Sequence, residues 1–129
     1  MGFITVLVDD YDSAATFYTE KLGFEVTADN QFGDYRWLTV ALPRQQDIGI
    51  VFVKADTEEK QDRLGSQVAN HVLITLESDD VDRDYKEMKA NGVKFHGEPK
   101  SSPYGREVVF EDLYGNRFDL ITVRRVPEE

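Results

Sequence analysis

The chain of 129 residues has no cysteine, which excludes disulfide bonds, thiolate metal ligands and a cysteine nucleophile. Positive charge is also scarce: 15 Lys and Arg stand against 25 Asp and Glu, giving a formal net charge of −10 at pH 7. That balance disfavours nucleic acid and anionic membranes as partners. No run approaches the roughly 20 apolar residues of a membrane span, and no signal-peptide pattern is present. We therefore expect a cytoplasmic protein with neither nucleic-acid nor membrane partners.

What the chain does contain is an internal repeat with an offset of 70 residues. The acidic run Asp9–Asp12 returns as Asp79–Asp82, and the same offset takes Arg36 to Arg106. Each acidic run follows a β-branched apolar stretch and precedes a helical pattern that ends near a glycine. A repeat of half the chain length predicts two similar modules. The length suffices for one domain with a hydrophobic core.

Hydrophobic periodicity predicts the order β-α-β-β-β in each half. The first half has strand 3–8, helix 13–22 with Asp10 or Asp12 as N-cap, and strands 24–27, 36–42 and 48–53. The second has strand 72–76, helix 81–90 and strands 93–96, 107–111 and 117–123. Residues 29–34 are turn-like and 97–105 form a loop. We therefore predict a single α+β domain over 1–129, with module 1 at about 1–54, a linker at about 55–68 and module 2 at about 69–126.

Two stretches of sequence carry a family resemblance. Residues 17–26 read FYTEKLGFEV after Asp10, and residues 112–120 read DLYGNRFDL. With the βαβββ order they resemble the vicinal oxygen chelate superfamily of glyoxalase I, bleomycin-resistance proteins, fosfomycin-resistance proteins and extradiol dioxygenases. The resemblance implies a glyoxalase-like fold in which two curved mixed sheets form a cup, and it implies a homodimer. It leaves the activity open, because the superfamily includes lyases, transferases, oxygenases and proteins that only bind.

The resemblance also implies four positions for metal ligands, on the first and last strand of each half. Asp119 takes the last position, and subtracting 70 places the equivalent position of the first half at Gly49. The two first-strand positions are Phe3 and Leu73. Three of these four residues lack donor atoms, so we predict no family metal and no other cofactor. If a divalent ion (Ni, Zn, Mn or Fe) does bind, we expect His71 and Asp119 to be its ligands.

Strand alternation predicts which residues face the cup. Trp37 lies opposite Leu38 and Val40, which suit packing against a helix. By the same alternation the cup is mostly apolar, with three threonines: Thr5, Thr39 and Thr75. A largely apolar cavity with few polar groups is typical of small-molecule sites. The alternative is that these side chains simply fill the interior.

Three further side chains are candidates for binding or catalysis. Tyr104 and Arg106 are expected at the mouth of the cup, where they offer a stacking surface and a positive charge for an anionic group, or else are ordinary loop residues. Glu107 on an apolar wall would have a raised pKa and could act as a general base, unless it points into solvent. Asp119 needs a partner, for which Arg117 and Arg106 are the candidates.

The sequence thus favours a protein that binds a small organic molecule without the family metal, as bleomycin-resistance proteins do. The second hypothesis is a metal-dependent glyoxalase-like lyase or a related enzyme, with His71, Asp119 and Glu107 in a displaced arrangement. Whether the protein is an enzyme stays open at this point.

Overall fold

Each copy of the repeat folds into a βαβββ module with a four-stranded mixed sheet in the computed structural model, which describes residues 2–123 apart from the side chain of Gln46. The chain divides into two units, Met1–Gln67 (unit 1) and Val68–Glu129 (unit 2). The predicted end of module 2 near residue 126 lies outside the described residues. None of the helices within residues 2–123 is long and apolar enough to cross a membrane.

Unit 1 begins with strand β1 and helix α1, whose last part is a π-helical turn. The elements are β1 (Gly2–Val8), α1 (Tyr11–Thr16), the π-helical turn (Phe17–Lys21), β2 (Glu25–Phe32), β3 (Tyr35–Leu42) and β4 (Gln45–Lys54). The strand order is β1-β4-β3-β2, with β1 parallel to β4 and the other neighbours antiparallel. A short helix α2 (Glu58–Arg63) and strand β5 (Gln67–Asn70) follow.

Unit 2 repeats this plan. Its elements are β6 (Val72–Glu77), α3 (Val81–Ala90), β7 (Lys94–Ser102), β8 (Gly105–Glu111) and β9 (Arg117–Val123). The order is β6-β9-β8-β7, again with one parallel pair, β6 and β9. The predicted fold class, two βαβββ modules of mixed sheet, is confirmed.

The repeated acidic runs are helix caps. Asp10 Oδ2 accepts a hydrogen bond of 3.0 Å from the backbone N–H of Ser13 at the start of α1. Asp80 Oδ1 accepts the equivalent bond of 3.1 Å from Arg83 at the start of α3. Each carboxylate satisfies a donor that the first helical turn cannot pair internally. Of the two N-caps predicted for α1, Asp10 is the one used.

The core of unit 1 lies between α1 and one face of its sheet. Leu38 and Val40 are 1% and 0% exposed. The buried ring of Tyr18, from the π-helical turn, lies 5.4 Å from the ring of Phe24 and 5.1 Å from that of Phe52. Burying each large side chain contributes roughly 1.5–3 kcal/mol, so this interface holds helix and sheet together.

Unit 2 has an aromatic core on the α3 side of its sheet. Phe110 and Phe118 are both 0% exposed and stack at 5.0 Å between ring centroids. Phe95 joins them, 5.7 Å from Phe110, and Tyr85 of α3 lies 4.7 Å from Phe95. The tyrosine therefore ties the helix to the sheet, as its place on the apolar helix stripe predicts.

Three predicted boundaries are wrong. Residues 29–34 are not mainly a turn, because β2 continues to Phe32, which pairs with Tyr35. Residues 97–105 are not a loop, because β7 continues to Ser102 and absorbs Gly97–Pro99 in a register shift. Helix α1 starts two residues early, at Tyr11. In both strands the cross-strand pairing outweighs the weak propensity of polar, glycine-containing sequence.

Gln67, at the end of unit 1, protects the free edge of β1. Its side-chain Oε1 accepts a hydrogen bond from the Leu7 N–H at 2.7 Å, and its Nε2 donates to the Thr5 carbonyl at 2.9 Å. The amide therefore replaces a neighbouring strand at two exposed backbone groups. Such covering suppresses edge-to-edge association.

Candidate functional site

The sheet of unit 1 has one face turned away from α1, which we name the Trp37 face. The strand register places Thr5, Val51 and Thr39 side by side across it. Its residues within the stretches 3–7, 37–39 and 49–53 are uncharged: Phe3, Thr5, Leu7, Trp37, Thr39, Gly49, Val51 and Val53. The predicted side of Trp37 is confirmed, because Leu38 and Val40 are buried on the α1 side.

Two aromatic rings meet on the Trp37 face. The ring of Phe3 stands edge-on to that of Trp37, with 5.5 Å between centroids and 82° between planes. Phe3 is 41% exposed and Trp37 is partly exposed. An edge-to-face pair is a favourable arrangement that leaves the flat surface of at least one ring available.

Two of the polar groups of this face are threonine hydroxyls that bond to each other. Thr39 is 1% exposed, and its Oγ1 lies 2.7 Å from Oγ1 of Thr27, so the two side chains share a hydrogen bond. Thr5 is exposed. Strand alternation does not predict the position of Thr27, because this residue lies at a register shift between β2 and β3.

The corresponding face of unit 2, turned away from α3, we name the Asp119 face. Val109 lies at its centre, beside Asp119 on one side and His96 on the other. Strand alternation adds the two glutamates that flank Val109 along β8, Glu107 and Glu111. Thr75 of β6 pairs with Asp119. Four titratable side chains therefore surround one valine.

Glu107 and Asp119 form a carboxyl pair. Burial is the largest cause that raises the pKa of Asp119, and together with the hydrogen bond and negative charge of Glu107 it raises this pKa to about 7. Asp119 Oδ1 is enclosed and has no hydrogen-bond partner among the described residues. The expected arginine partner is therefore wrong, since the group beside Asp119 is another acid. A carboxyl group with a pKa near 7 can give or take a proton at neutral pH.

A second pair on the Asp119 face joins β7 to β8. His96 Nε2 lies 2.6 Å from Glu111 Oε2, and Lys94 Nζ lies 3.3 Å from the same oxygen. His96 is exposed, and it holds Glu111 in place. This glutamate is thus engaged with basic groups, whereas Glu107 lies beside an acid.

Arg106 and Tyr104 lie elsewhere. The guanidinium of Arg106 bonds to both oxygens of Asp82 at 2.8 and 3.0 Å, on the α3 side of the sheet. This contact raises the pKa of Arg106. The positive charge of Arg106 is therefore paired with Asp82, whereas the sequence predicts that it is available to an anionic group of a ligand. A cavity of about 290 Å³ beside it is lined by Ser101, Ser102, Gly105, Arg106, Thr122 and Val123. Tyr104 is 64% exposed at the hairpin tip. The structure does not bring either residue onto the Asp119 face.

The strand register corrects one inferred metal position. Asp119 pairs with Thr75 and Val109, and the same places in unit 1 are taken by Thr5, Val51 and Thr39. The residue equivalent to Asp119 is therefore Val51 rather than Gly49. The reason is the connection between β3 and β4, which is two residues longer than that between β8 and β9: Val40 pairs with Ile50, whereas Phe110 pairs with Phe118.

The donor set does not fit the family metal. Asp119 is the one carboxylate among the paired residues Thr5, Val51, Thr75 and Asp119. His71 is exposed, and its Nδ1 accepts a hydrogen bond of 2.9 Å from the Val72 N–H. Within residues 2–123 no three His, Cys, Asp or Glu side chains are grouped to hold a metal ion. Tight binding of a divalent ion needs at least three such ligands.

Comparison with known families agrees with this fold. A family described as the glyoxalase/bleomycin resistance protein/dioxygenase superfamily matches residues 1–120. The chain belongs to this superfamily. The superfamily comprises enzymes and binding proteins, so membership fixes the architecture and leaves the chemistry to the individual residues.

Three similar proteins illustrate the range of this superfamily. An uncharacterised protein of Shewanella frigidimarina is 38% identical over 120 residues, which span 92% of this chain and 89% of that protein. The crystal structure of UcmS2 is 36% identical with a TM-score of 0.82, covering 92% of this chain and 94% of its own. TnmS3, an antibiotic-binding protein from Streptomyces sp. CB03234, is 33% identical with a TM-score of 0.79, covering 95% and 93%.

Proposed function

We propose that this protein binds a small organic molecule on the Trp37 face, without the family metal. The observation that carries the proposal is the partly exposed pair of Phe3 and Trp37, whose neighbours on this face, Thr5, Thr39, Gly49 and Val51, are uncharged. Apolar surface with a few hydroxyl groups is the usual lining of a small-molecule site. The similarity to TnmS3, which is described as an antibiotic-binding protein, supports the same class of function.

The side chains have different roles in this proposal. Trp37 provides the stacking surface, and the exposed Thr5 provides a hydroxyl group that orients the ligand. Thr39 stays a predicted contact, but its hydroxyl is buried and bonded to that of Thr27. In unit 2, Thr75 and Tyr104 stay predicted ligand contacts. We give Arg106 a smaller role than the sequence suggested, because its charge is paired with Asp82.

The test uses the single tryptophan of the chain. Titration of a library of uncharged organic molecules in the presence of EDTA is expected to give saturable changes in Trp37 fluorescence for some members. Calorimetry with Trp37→Leu should then show binding weakened about tenfold, at a Tm close to that of the wild type. The proposal fails if no compound binds, or if binding requires an added divalent ion.

The Glu107–Asp119 pair favours a second candidate, an enzyme that moves a proton. The observation that favours this candidate is the pKa of Asp119, which is about 7 and suits a general acid or base. A metal-dependent lyase is the less favoured form of this candidate, because the described residues do not group three ligands that could hold a metal ion. Turnover that follows an ionisation near pH 7 and is lost in Glu107→Gln, with metal chelated throughout, would select this candidate over simple binding.

We also propose a cytoplasmic homodimer. The location rests on the composition, and the dimer rests on resemblance to other members of the superfamily. Sedimentation velocity at micromolar concentration is expected to show twice the mass of 14.8 kDa. A monomer under those conditions would contradict the dimer and leave the binding proposal unaffected.

A further inference from the structure

The Trp37 face contains a glycine, Gly49, at a point where a larger residue would crowd its neighbours. An added Cβ would lie 3.1 Å from Cε1 of Phe3, 3.2 Å from its Cδ1 and 3.1 Å from the carbonyl oxygen of Val40. Contacts of that length are shorter than ordinary van der Waals contact between such atoms. The Phe3 ring therefore lies against the bare backbone of β4, in space that every other residue type would fill.

This placement of Phe3 brings it to Trp37. Phe3 pairs with Gly49 across the β1–β4 register, so the two residues are direct neighbours on the same face. The ring crosses over the glycine and meets Trp37 edge-on at 5.5 Å. Together the two rings form an aromatic corner, which we define as Phe3 and Trp37 with Gly49 beneath the first ring.

We infer that Gly49 positions Phe3 so that the aromatic corner accepts a flat, uncharged aromatic ring of the ligand. The inference rests on the proposed function and names its ligand class. Flatness follows from the two ring planes at 82°, because a planar ring can stack on one of them while its edge meets the other. Absence of charge follows from the residues that line the corner, since Phe3, Thr5, Trp37, Thr39 and Val51 are uncharged and would leave an ionic group there unpaired.

The test follows the single indole N–H signal of Trp37 by NMR while 2-naphthol is titrated into the full chain. Decahydro-2-naphthol, which has the same carbon skeleton and hydroxyl group but no aromatic ring, is the matched ligand. We expect 2-naphthol to bind roughly 3- to 10-fold more tightly, in line with the usual strength of an aromatic contact beyond area burial.

Three variants locate the effect. Phe3→Leu keeps an apolar side chain but removes the ring, and Gly49→Ala displaces the ring; each is expected to abolish the preference for 2-naphthol. Gly2→Ala is the matched control, because it adds the same atom to the same sheet where nothing lies within 4 Å. It should leave the preference intact. If Gly49→Ala does not fold, Phe3→Leu alone still decides the question.

Several results would overturn the inference. Equal affinity for the two ligands in the wild type, or a preference that survives in Phe3→Leu or in a folded Gly49→Ala, removes the aromatic corner as the basis of recognition. An indole signal that responds to protein concentration and not to 2-naphthol shows that a second copy of the chain covers the face. These outcomes differ from failure of the proposed function, in which no member of the uncharged library binds in EDTA.

Discussion

The two units share one backbone plan and differ in the chemistry of the sheet face that their helix does not cover. Asp12 bonds to Arg36 in unit 1 as Asp82 bonds to Arg106 in unit 2, on the helix side of each sheet. Away from the helices, the Trp37 face carries aromatic, aliphatic and hydroxyl groups, whereas the Asp119 face carries two acids beside each other and a histidine–glutamate pair. The two copies of the repeat therefore match in the contacts that hold the helix to the sheet and differ on the faces away from the helices.

This difference extends to the residues that could bind a metal ion. Among the described residues the two faces do not carry matching donors, because Val51 stands where unit 2 has Asp119. One half keeps a carboxylate whose neighbour is another acid, and the other half keeps apolar surface.

The largest expected effect is a difference in stability between variants of two phenylalanines, one on the helix side of its sheet and one on the opposite face. Phe110→Ala should lower the free energy of unfolding by about 3–5 kcal/mol, because the ring is 0% exposed in the core of unit 2. Phe3→Ala should cost only about 1–2 kcal/mol, because Phe3 is 41% exposed. Urea denaturation measures both values. Equal losses would show that the Trp37 face is part of the packed core.

A smaller effect concerns pH and the Asp119 face. The folded state holds the proton of Asp119 up to a pKa of about 7, whereas the unfolded chain releases it near 3.8. Stability should therefore fall as pH rises from about 4 to 7 and level off above. Asp119→Asn removes this loss. Relative to the wild type, the free energy of unfolding of this variant should therefore rise by about 1 kcal/mol between pH 5 and pH 8. This figure includes a reduction for the solvent exposure of the group.

Denaturation at the two pH values checks this prediction. Glu107→Gln is the informative control: it should remove part of the pH dependence and leave the part caused by burial, which is the larger cause. A wild-type protein equally stable at pH 5 and pH 8 would contradict the raised pKa of Asp119.

The smallest effect should be the same in both units. Asp10→Ala and Asp80→Ala each remove one N-cap hydrogen bond, and each should lower the Tm by roughly 2–6 °C. Differential scanning calorimetry of both variants gives the comparison. A change several times larger in one variant would show that the two copies of the repeat do not support their helices in the same way.

Much of the fold could be predicted because its signals are local. The acidic runs cap helices through bonds that span three residues, and apolar side chains alternate along each strand. Alternation also survives the change of register between the units, because the two connections differ by two residues and an even shift keeps every side chain on its face. The side of Trp37 was therefore predictable.

The remaining features depend on contacts across strands. The ring of Phe3 lies on Gly49, and Glu107 lies diagonally from Asp119; both relations require the register, which was miscounted by two residues in β4. The length of β2 and β7 was underestimated for a similar reason: polar residues such as Asn30 pair with a neighbouring strand without any apolar pattern. The sequence predicts Arg106 at the mouth of the cup because it does not reveal the ion pair between Arg106 and Asp82.

The most direct test of the central claim is an isotope-filtered NOE experiment on the protein in EDTA with the tightest binder from the uncharged library. The account predicts contacts between ligand protons and both the indole of Trp37 and the ring of Phe3. Contacts confined to residues outside the Trp37 face, or a complex that forms only after Ni²⁺ or Zn²⁺ is added, would contradict it.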